Sequence, residues 1–216
     1  FACNYNSGKD SDDLAKVIEE WNEYVDSTGV SYNAWIFTPY YYSEDRTADT
    51  IWIGVAPTWE EMMEAAETMT TEEGQKIQAK FDRISDCYDH TGWGLEIVRA
   101  SQELGGGLAT TQWCTLNEGV TPDQVLAADK KMNTYLDKQN VTGGVSRWWA
   151  GSGLPSRFDA DMLWVQTANS MTEWGRGVDQ AVNGGGNQVM GSIYGDLMSC
   201  TNREVFAVDA VRISSN

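Results

Sequence analysis

The chain carries Cys3-Asn4-Tyr5-Asn6-Ser7-Gly8 and, 111 residues later, Cys114-Thr115-Leu116-Asn117-Glu118-Gly119. Cysteine, asparagine and glycine recur at the same places in the two segments. The same register sets Asn22-Glu23-Tyr24-Val25-Asp26 over Asn133-Thr134-Tyr135-Leu136-Asp137, and the offset grows to 113 residues towards the end of each copy. Small loop insertions produce such a drift. The sequence therefore contains two copies of one structural unit, and repeats of this kind decide how the rest is interpreted.

Both copies show the same succession of hydrophobic patterns. A short strand is followed by a helix with apolar residues at helical spacing, two strands that a polar hairpin joins, a second helix and a last strand. Thr58 and Ser170 are expected to cap the second helices, and the last strands are expected at residues 93–99 and 206–212. This βαββαβ order is the ferredoxin-like arrangement, so the predicted class is α+β.

The repeat also predicts the domain boundaries. Residues 1–103 form the first ferredoxin-like repeat and residues 109–216 form the second. Residues 104–108 are rich in glycine and are predicted to be a linker between them. Two units of about 100 residues each have the usual size of small domains.

The four cysteines test the predicted topology. In a ferredoxin-like sheet the first and last strands are antiparallel neighbours, so the end of the first lies beside the start of the last. Cys3 and Cys114 follow the first strands, and Cys87 and Cys200 precede the last ones. Of the three pairings that four cysteines allow, only Cys3–Cys87 with Cys114–Cys200 is equivalent in, and local to, both copies. Metal binding is the alternative, although the sequence has no Cys-X-X-Cys pair.

Charge and cysteine usage limit the partners and the compartment. The chain has 15 Lys and Arg against 32 Asp and Glu, a formal net charge of −17. Such a surface repels phosphate backbones and anionic headgroups, so neither nucleic acid nor a membrane is expected as a partner. No apolar run approaches the roughly 20 residues that span a bilayer.

Because disulfides form outside the reducing cytoplasm, the sequence predicts a periplasmic or extracellular protein. Its oligomeric state is left open.

Two ferredoxin-like units in one chain resemble the dimeric α+β-barrel superfamily, in topology and repeat and not in a sequence motif. The resemblance covers the chain from Cys3 to Arg212. It implies that two sheets pack face to face as a pseudo-dimeric α+β barrel, here by internal duplication. A shared fold does not by itself imply an activity.

A carboxylate recurs in the middle of the two last strands, as Glu96 and as Asp209. Alternate residues of a strand share one face, so each acid lies among small residues. If that face lines the space between the sheets, the two acids form a paired site in which burial or like charge raises one pKa. The alternative is that each acid faces solvent or pairs with a nearby Arg or Lys.

Tryptophan is abundant, and some copies occupy equivalent positions in the two repeats. Trp52 corresponds to Trp164, and Trp35 and Trp148 lie on the neighbouring strands. Together with the two acids, these four rings are the predicted ligand-binding residues of an internal cavity for an apolar or aromatic small molecule. The alternative is that the rings pack the sheet against the helices.

The single histidine, His90, corresponds to Arg203 in the second copy and is predicted to be a solvated loop residue. One histidine excludes His-rich zinc or copper sites, and the sequence has no G-X-S-X-G elbow or phosphate-binding loop. A haem held by histidine, as in some relatives with this barrel, would need His90 near the sheet interior. Neither a metal nor a cofactor is therefore expected.

The hairpin with Tyr40, Tyr41 and Tyr42 differs from its counterpart in the second copy. Adjacent exposed tyrosines are typical of a contact surface for sugar or protein, and ordinary packing is the alternative.

Three functional hypotheses follow. The lack of a nucleophile, a metal cluster and a phosphate loop favours a non-catalytic binding or interaction protein that holds an apolar or aromatic molecule between two sheets. A cofactor-independent enzyme resembling the monooxygenases of this superfamily is the first alternative. A self-assembling surface or structural protein is the second.

Overall fold

The computed structural model describes residues 1–44, 48–103, 105–154, 158–201 and 203–214. The protein belongs to the α+β class, as the sequence predicted. The first repeat contributes the elements β1 (Ala2–Tyr5), α1 (Ser11–Thr28), β2 (Asn33–Tyr41), β3 (Thr50–Val55), α2 (Trp59–Thr68), α3 (Glu72–Ile84), β4 (Ser85–Asp89) and β5 (Gly92–Arg99).

The second repeat has the same succession of elements. They are β6 (Gly106–Leu116), α4 (Pro122–Lys138), β7 (Val145–Ser152), β8 (Met162–Ala168), α5 (Met171–Val182), α6 (Gly186–Tyr194), β9 (Met198–Cys200) and β10 (Glu204–Arg212). Each repeat thus has two helices where the sequence predicted one second helix. Gly185 allows the break before α6, because it takes a φ of 79°, which glycine adopts without steric cost.

The helices begin where the sequence placed their caps. The Thr58 hydroxyl accepts a hydrogen bond from the Glu61 amide at 3.1 Å, and the Ser170 hydroxyl accepts one from the Glu173 amide at 3.0 Å. These bonds satisfy amide groups that have no partner inside the helix. None of the helices in the described part of the chain is long and apolar enough to cross a membrane.

The strand order identifies the fourth strand of each repeat. In the first repeat the order is β4-β1-β3-β2, and in the second β9-β6-β8-β7, which is the ferredoxin-like arrangement. The predicted fourth strands, at residues 93–99 and 206–212, were therefore assigned wrongly. Short strands that contain Cys87 and Cys200 take that place, and their alternation was too brief to be recognised. The longer strands β5 and β10 are additional fifth strands.

The fifth strands are exchanged between the repeats. Strand β5 comes from the first repeat but pairs antiparallel with β7 of the second, so that Leu95 lies opposite Trp148. In the strand order β10 of the second repeat stands beside β2 of the first. Accordingly the chain divides into two compact units. Unit 1 comprises Phe1–Pro39, Ser43–His90 and Val208–Asn216, and unit 2 comprises Tyr40–Tyr42 and Thr91–Ala207.

In unit 2, two side chains of helix α4 hold the fifth strand. The Asn133 amide donates to the Val98 carbonyl at 2.9 Å, and Asp137 pairs with Arg99 at 2.6 Å. Val98 lies at a register shift of the β5–β7 pair, where the regular strand pairing is interrupted, so the Asn133 side chain completes its hydrogen bonding.

In unit 1, the equivalent residues of α1 hold the end of β10 in the same way. Asn22 donates to the Val211 carbonyl at 2.8 Å, and Asp26 pairs with Arg212 at 2.7 Å. The exchange is thus a duplicated feature of the repeat and not an accident of one copy.

The boundaries 1–103 and 109–216 remain a prediction about the repeats, because the compact units follow the exchanged strands instead. Gly106, Gly107 and Leu108, from the predicted linker, lie in strand β6, and Leu108 is buried. Leu104 lies outside the described residues.

Both predicted disulfides are present. Cys3 lies directly opposite Cys87 in the β1–β4 pair, and Cys114 lies opposite Cys200 in the β6–β9 pair. Each bond therefore joins the first and fourth strands of one repeat. Two disulfides are compatible with a protein that works outside the cytoplasm.

Each unit buries the apolar side of its first helix against its sheet. In unit 1 this core consists of Leu14, Val17, Ile18, Ile36 and Ile84, with Trp52 and Phe81 packed on it. In unit 2 the corresponding core contains Ala128, Met132, Val145, Met162, Trp164 and Tyr194.

Candidate functional site

A charged residue lies in the core of unit 2. Arg147 of β7 is 2% exposed, and Asp129 of α4 is 4% exposed. Two guanidinium nitrogens of Arg147, Nη1 and Nη2, donate to the Asp129 carboxylate at 3.0 and 2.6 Å. Burying two charges is tolerated only when they are paired and hydrogen-bonded in this way.

Tyr194 and Trp164 extend this buried group. The Tyr194 hydroxyl donates to Asp129 Oδ1 at 2.8 Å, and its ring meets the Trp164 ring edge to face at 5.2 Å. The Arg147 guanidinium lies over the Trp164 ring at 5.7 Å, within the range of a cation–π contact. Burial and the neighbouring Asp129 carboxylate both raise the pKa of Tyr194, so its hydroxyl stays protonated.

Glu96 of strand β5 forms the outer end of the group. It accepts hydrogen bonds from Arg147 Nε at 3.1 Å and Nη2 at 3.0 Å, and from the Trp149 indole at 2.8 Å. The hydrogen bonds from Arg147 lower the pKa of Glu96, although partial burial opposes this shift. Burial disfavours the charge on Arg147, but its bonds to Glu96 and Asp129 prevail and raise its pKa. Glu96 and Arg147 are therefore both charged at neutral pH.

Unit 1 has an apolar version of the same arrangement. At the positions of Asp129 and Arg147 it has Ile18 and Ile36. The strand registers of the two repeats agree. Ile36 lies opposite Trp52 in β3, and Arg147 lies opposite Trp164 in β8.

The aromatic pair is also repeated, with one polar change. Trp52 and Phe81 meet edge to face at 5.8 Å in unit 1, where unit 2 has Trp164 and Tyr194. Three apolar positions thus became Asp129, Arg147 and Tyr194, and the three new polar groups bond to one another. None of these three residues was predicted from the sequence. A comparison of the aligned repeats would have shown them as polar residues at positions that are apolar in the first repeat.

A cavity of about 260 Å³ opens beside this group, between helix α6 and the strands of unit 2. This cavity is the α6 pocket. Its lining is mostly apolar and includes the sulfur atoms of two methionines and one disulfide. The lining residues are Gln112, Trp164, Asn187, Met190, Gly191, Tyr194, Gly195, Met198, Cys200 and Arg203.

Two glycines of the second repeat keep the α6 pocket open. A Cβ atom added at Gly191 would meet no atom within 4 Å, so a longer side chain would have room to enter. At the positions of Gly191 and Gly195, the first repeat has Gln78 and Asp82, whose side chains bond to each other at 2.7 Å. The pocket is therefore a feature of one repeat and not of the fold.

A larger and shallower cavity, of about 540 Å³, lies in unit 1 around Thr28, Gly29, Val30 and Pro57. Its wall includes the carboxylates of Glu61 and Glu64. None of its described lining residues is a buried polar residue, so it offers less to orient a ligand than the α6 pocket does.

Of the predicted acidic pair, Glu96 lies in unit 2 and Asp209 in unit 1. Asp209 is exposed. Arg147 engages Glu96, which is the alternative interpretation given above, and the pKa of Glu96 is lowered. Glu96 therefore does not have the raised pKa that was expected for one of the two acids, because an arginine and not a second carboxylate is its neighbour.

The predicted tryptophans lie in different surroundings. Trp52 packs on the unit 1 core and donates to the Tyr32 hydroxyl at 3.1 Å. Trp164 is buried and lines the α6 pocket. Trp35 is half-buried, and Trp148 is half-buried with its indole donating to Ser146 at 3.0 Å. Only Trp164 of the four thus lies at the pocket.

His90 lies in the bend between β4 and β5, and its ring meets the Phe1 ring edge to face at 4.6 Å. Within the described ranges, no group of three or more His, Cys, Asp or Glu side chains could hold a metal ion. Tyr40, Tyr41 and Tyr42 are exposed, as predicted, and Asp45 and Arg46 of that hairpin lie outside the described residues.

Solved structures share this fold. A variant chlorite dismutase from Candidatus Nitrospira defluvii matches with a TM-score of 0.53 and 8% identity, over 97% of this chain and 89% of that one. Chlorite dismutase from the same organism in complex with imidazole matches with a TM-score of 0.51 and 9% identity, over 97% of this chain and 90% of that one. A heme-binding protein from Thermus thermophilus gives a TM-score of 0.46 and 10% identity, over 91% and 79%. No family model and no curated protein matches the sequence.

These structures support the predicted two-repeat ferredoxin-like fold. They also overturn the functional prediction. A non-catalytic binding or interaction protein was expected, yet the neighbours with a TM-score above 0.5 are named as an enzyme, chlorite dismutase. The prediction had taken a missing catalytic motif as a missing activity, and this inference fails when catalysis leaves no local motif.

Replacing Glu96 by glutamine should lower the free energy of unfolding at neutral pH by less than about 1 kcal/mol, since the pair is partly exposed. Arg147 holds the pKa of Glu96 below its ordinary value of 4.5. The ionised carboxylate therefore stabilises the fold above that value, and this contribution is lost as the pH falls through the folded pKa. Denaturant unfolding of both proteins across acidic pH checks this. A difference that stays constant on acidification would contradict it.

Proposed function

We propose that unit 2 takes up a small, mainly apolar or aromatic molecule, as substrate or ligand, in the α6 pocket. This site differs from the one that the sequence predicted, since it lies within one unit, between a sheet and a helix. A cavity of about 260 Å³ is slightly below the range of about 300–1,000 Å³ that holds drug-sized ligands. The molecule is therefore expected to have one or two rings.

The observation that carries this proposal is the contrast between the two repeats. The first repeat fills the same place with Ile18, Ile36 and Phe81 and folds without a buried charge. Replacing a buried ion pair with apolar residues is often neutral or stabilising, so folding does not require Asp129 and Arg147. Their presence beneath an open pocket indicates a role for the site.

The chemistry of the pocket supports a flat apolar ligand. Trp164 offers an aromatic ring, and Met190 and Met198 offer thioether sulfur atoms, which make favourable contacts with aromatic rings. The buried ion pair keeps Tyr194 and Trp164 in fixed positions. Preorganised walls of this kind reduce the entropy that binding costs.

Haem, which one structural neighbour is described as binding, does not fit these residues. The only histidine, His90, lies in unit 1 against Phe1, and the α6 pocket has no histidine in its wall. All four cysteines form disulfides. The Tyr194 hydroxyl donates a hydrogen bond to Asp129 and has a raised pKa, so it is poorly suited to act as an anionic haem ligand. We therefore derive no step through haem.

Replacing Gly191 by glutamine should weaken binding at the α6 pocket at least about 10-fold. The substitution restores the residue of the first repeat and places its side chain in open space. Benzamide, a neutral one-ring probe, is added to the parent and the variant, and binding is measured by NMR line broadening and chemical shifts. We expect binding to the parent and at least about a 10-fold loss in the variant.

The matched control is Gly177→Gln. Gly177 also lies inside a helix with no atom within 4 Å of an added Cβ, but it does not line the pocket. Both substitutions raise helix propensity equally, so a change in helix stability cannot separate them. Equal binding by both variants, or no binding by the parent, would rule the pocket out.

We further propose a periplasmic or extracellular location and membership of the dimeric α+β-barrel superfamily. The two disulfides support the location. Protein taken from its native compartment should incorporate a thiol-alkylating reagent only after reduction. Labelling without reduction would contradict the location.

A further inference from the structure

We propose that the molecule bound in the α6 pocket carries an anionic group, such as a carboxylate on an aromatic ring, and that Arg203 binds it. This inference rests on the proposed function and specifies its ligand class. The chain has 32 acidic residues and a net charge of −17. Nevertheless, none of the described residues that line the pocket is acidic, and its one charged residue is an arginine.

The Arg203 guanidinium has no carboxylate partner among the described residues. Its Nη2 atom lies 4.0 Å from the Met190 sulfur, which places it at the apolar wall of the pocket. Two other arginines of unit 2 are paired, Arg99 with Asp137 and Arg147 with Asp129. In an acidic protein, an unpaired guanidinium beside an apolar cavity is suited to bind the carboxylate of a ligand, since it can donate two parallel hydrogen bonds.

The first repeat closes the equivalent position with two rings. Phe1 and His90 stand where the second repeat has Gln112 and Arg203, and their rings are in contact at 4.6 Å. In unit 2 the Gln112 side chain turns to the Thr201 carbonyl instead, at 2.8 Å. Both changes place polar side chains at a pocket whose lining also includes Met190 and Met198. The ligand is therefore expected to combine a charged group with an apolar part.

A comparison of benzoate with benzamide distinguishes the effect of charge on binding from the effect of shape, because both molecules have one ring and a planar substituent. We expect the parent to bind benzoate at least about 10-fold more tightly than benzamide, since charge-assisted hydrogen bonds are roughly twice as strong as neutral ones. Arg203→Gln should abolish this preference, so that the variant binds benzoate no more tightly than benzamide. The preference should also weaken as salt is raised, since Arg203 is exposed.

The control is Arg176→Gln, which removes an exposed arginine of helix α5 that does not line the pocket. It should keep the full preference for benzoate. If benzamide binds and benzoate binds no better, the anionic ligand is refuted while the pocket stands. If neither probe binds the parent, the proposed function itself fails. An equal loss of preference in both arginine variants would indicate a general charge effect and would overturn the role of Arg203.

Discussion

Replacing Arg147 by methionine should lower the free energy of unfolding by about 3–5 kcal/mol, because it leaves a buried charge without its partner. Asp129 is 4% exposed and would keep only the Tyr194 hydroxyl as a donor. Methionine fills most of the space of the arginine stem, so the loss comes from charge and not from a cavity. Glu96 contributes little, since its side chain is 44% exposed and can be hydrated. Denaturant unfolding at neutral pH measures the effect.

The triple variant Asp129→Ile, Arg147→Ile and Tyr194→Phe is the matched control. It converts the group in unit 2 to the residues of unit 1, which the same fold already accommodates. We expect it to be as stable as the parent to within about 1–2 kcal/mol, since apolar replacement of a whole buried ion pair is often neutral or stabilising. A triple variant that is as unstable as Arg147→Met would show that unit 2 needs the charges to fold.

Removing either disulfide should cost about 4 kcal/mol of stability in the chain-entropy model. The two bonds close chain segments of nearly equal length, with sequence separations of 84 and 86 residues. The double alanine variants at Cys3 and Cys87, and at Cys114 and Cys200, should therefore lose similar amounts from loop closure. Denaturant unfolding of each variant, compared with the parent, gives the two values.

The two double alanine variants are also compared with each other. Cys114 is fully buried in the core of unit 2, so its variant should lose somewhat more than the loop-closure contribution. A loss below about 1 kcal/mol in both variants would show that the disulfides do not hold the first and fourth strands together.

Local patterns made much of this fold predictable. Apolar residues at helical spacing placed α1 and α4, and hydroxyl side chains at Thr58 and Ser170 fixed where later helices begin. The cysteine pairing was also correct, because equivalence between the copies allowed only one solution. The pairing was right although the fourth strand of the first repeat was assigned wrongly, since Cys87 lies in that strand and not before it.

The candidate site was less predictable, because its residues are far apart in the chain. Asp129 is followed by Lys130 and Lys131, as in an ordinary solvated part of a helix, and Arg147 lies in a strand rich in tryptophan. Neither has a neighbour in sequence that reveals its partner. The predicted acid Glu96 belongs to this group, but its partner was unknown while β5 was assigned to its own repeat.

By itself, the sequence determined the duplication, the α+β class, the helix starts and the disulfides, since each depends on residues near in the chain or on equivalence between copies. Only the tertiary structure decided that the fifth strands exchange. Strand pairing joins residues distant in the chain, and two homologous edges, β2 and β7, offer each strand nearly the same partner. That exchange places Glu96 against Arg147 and so completes the group beside the α6 pocket.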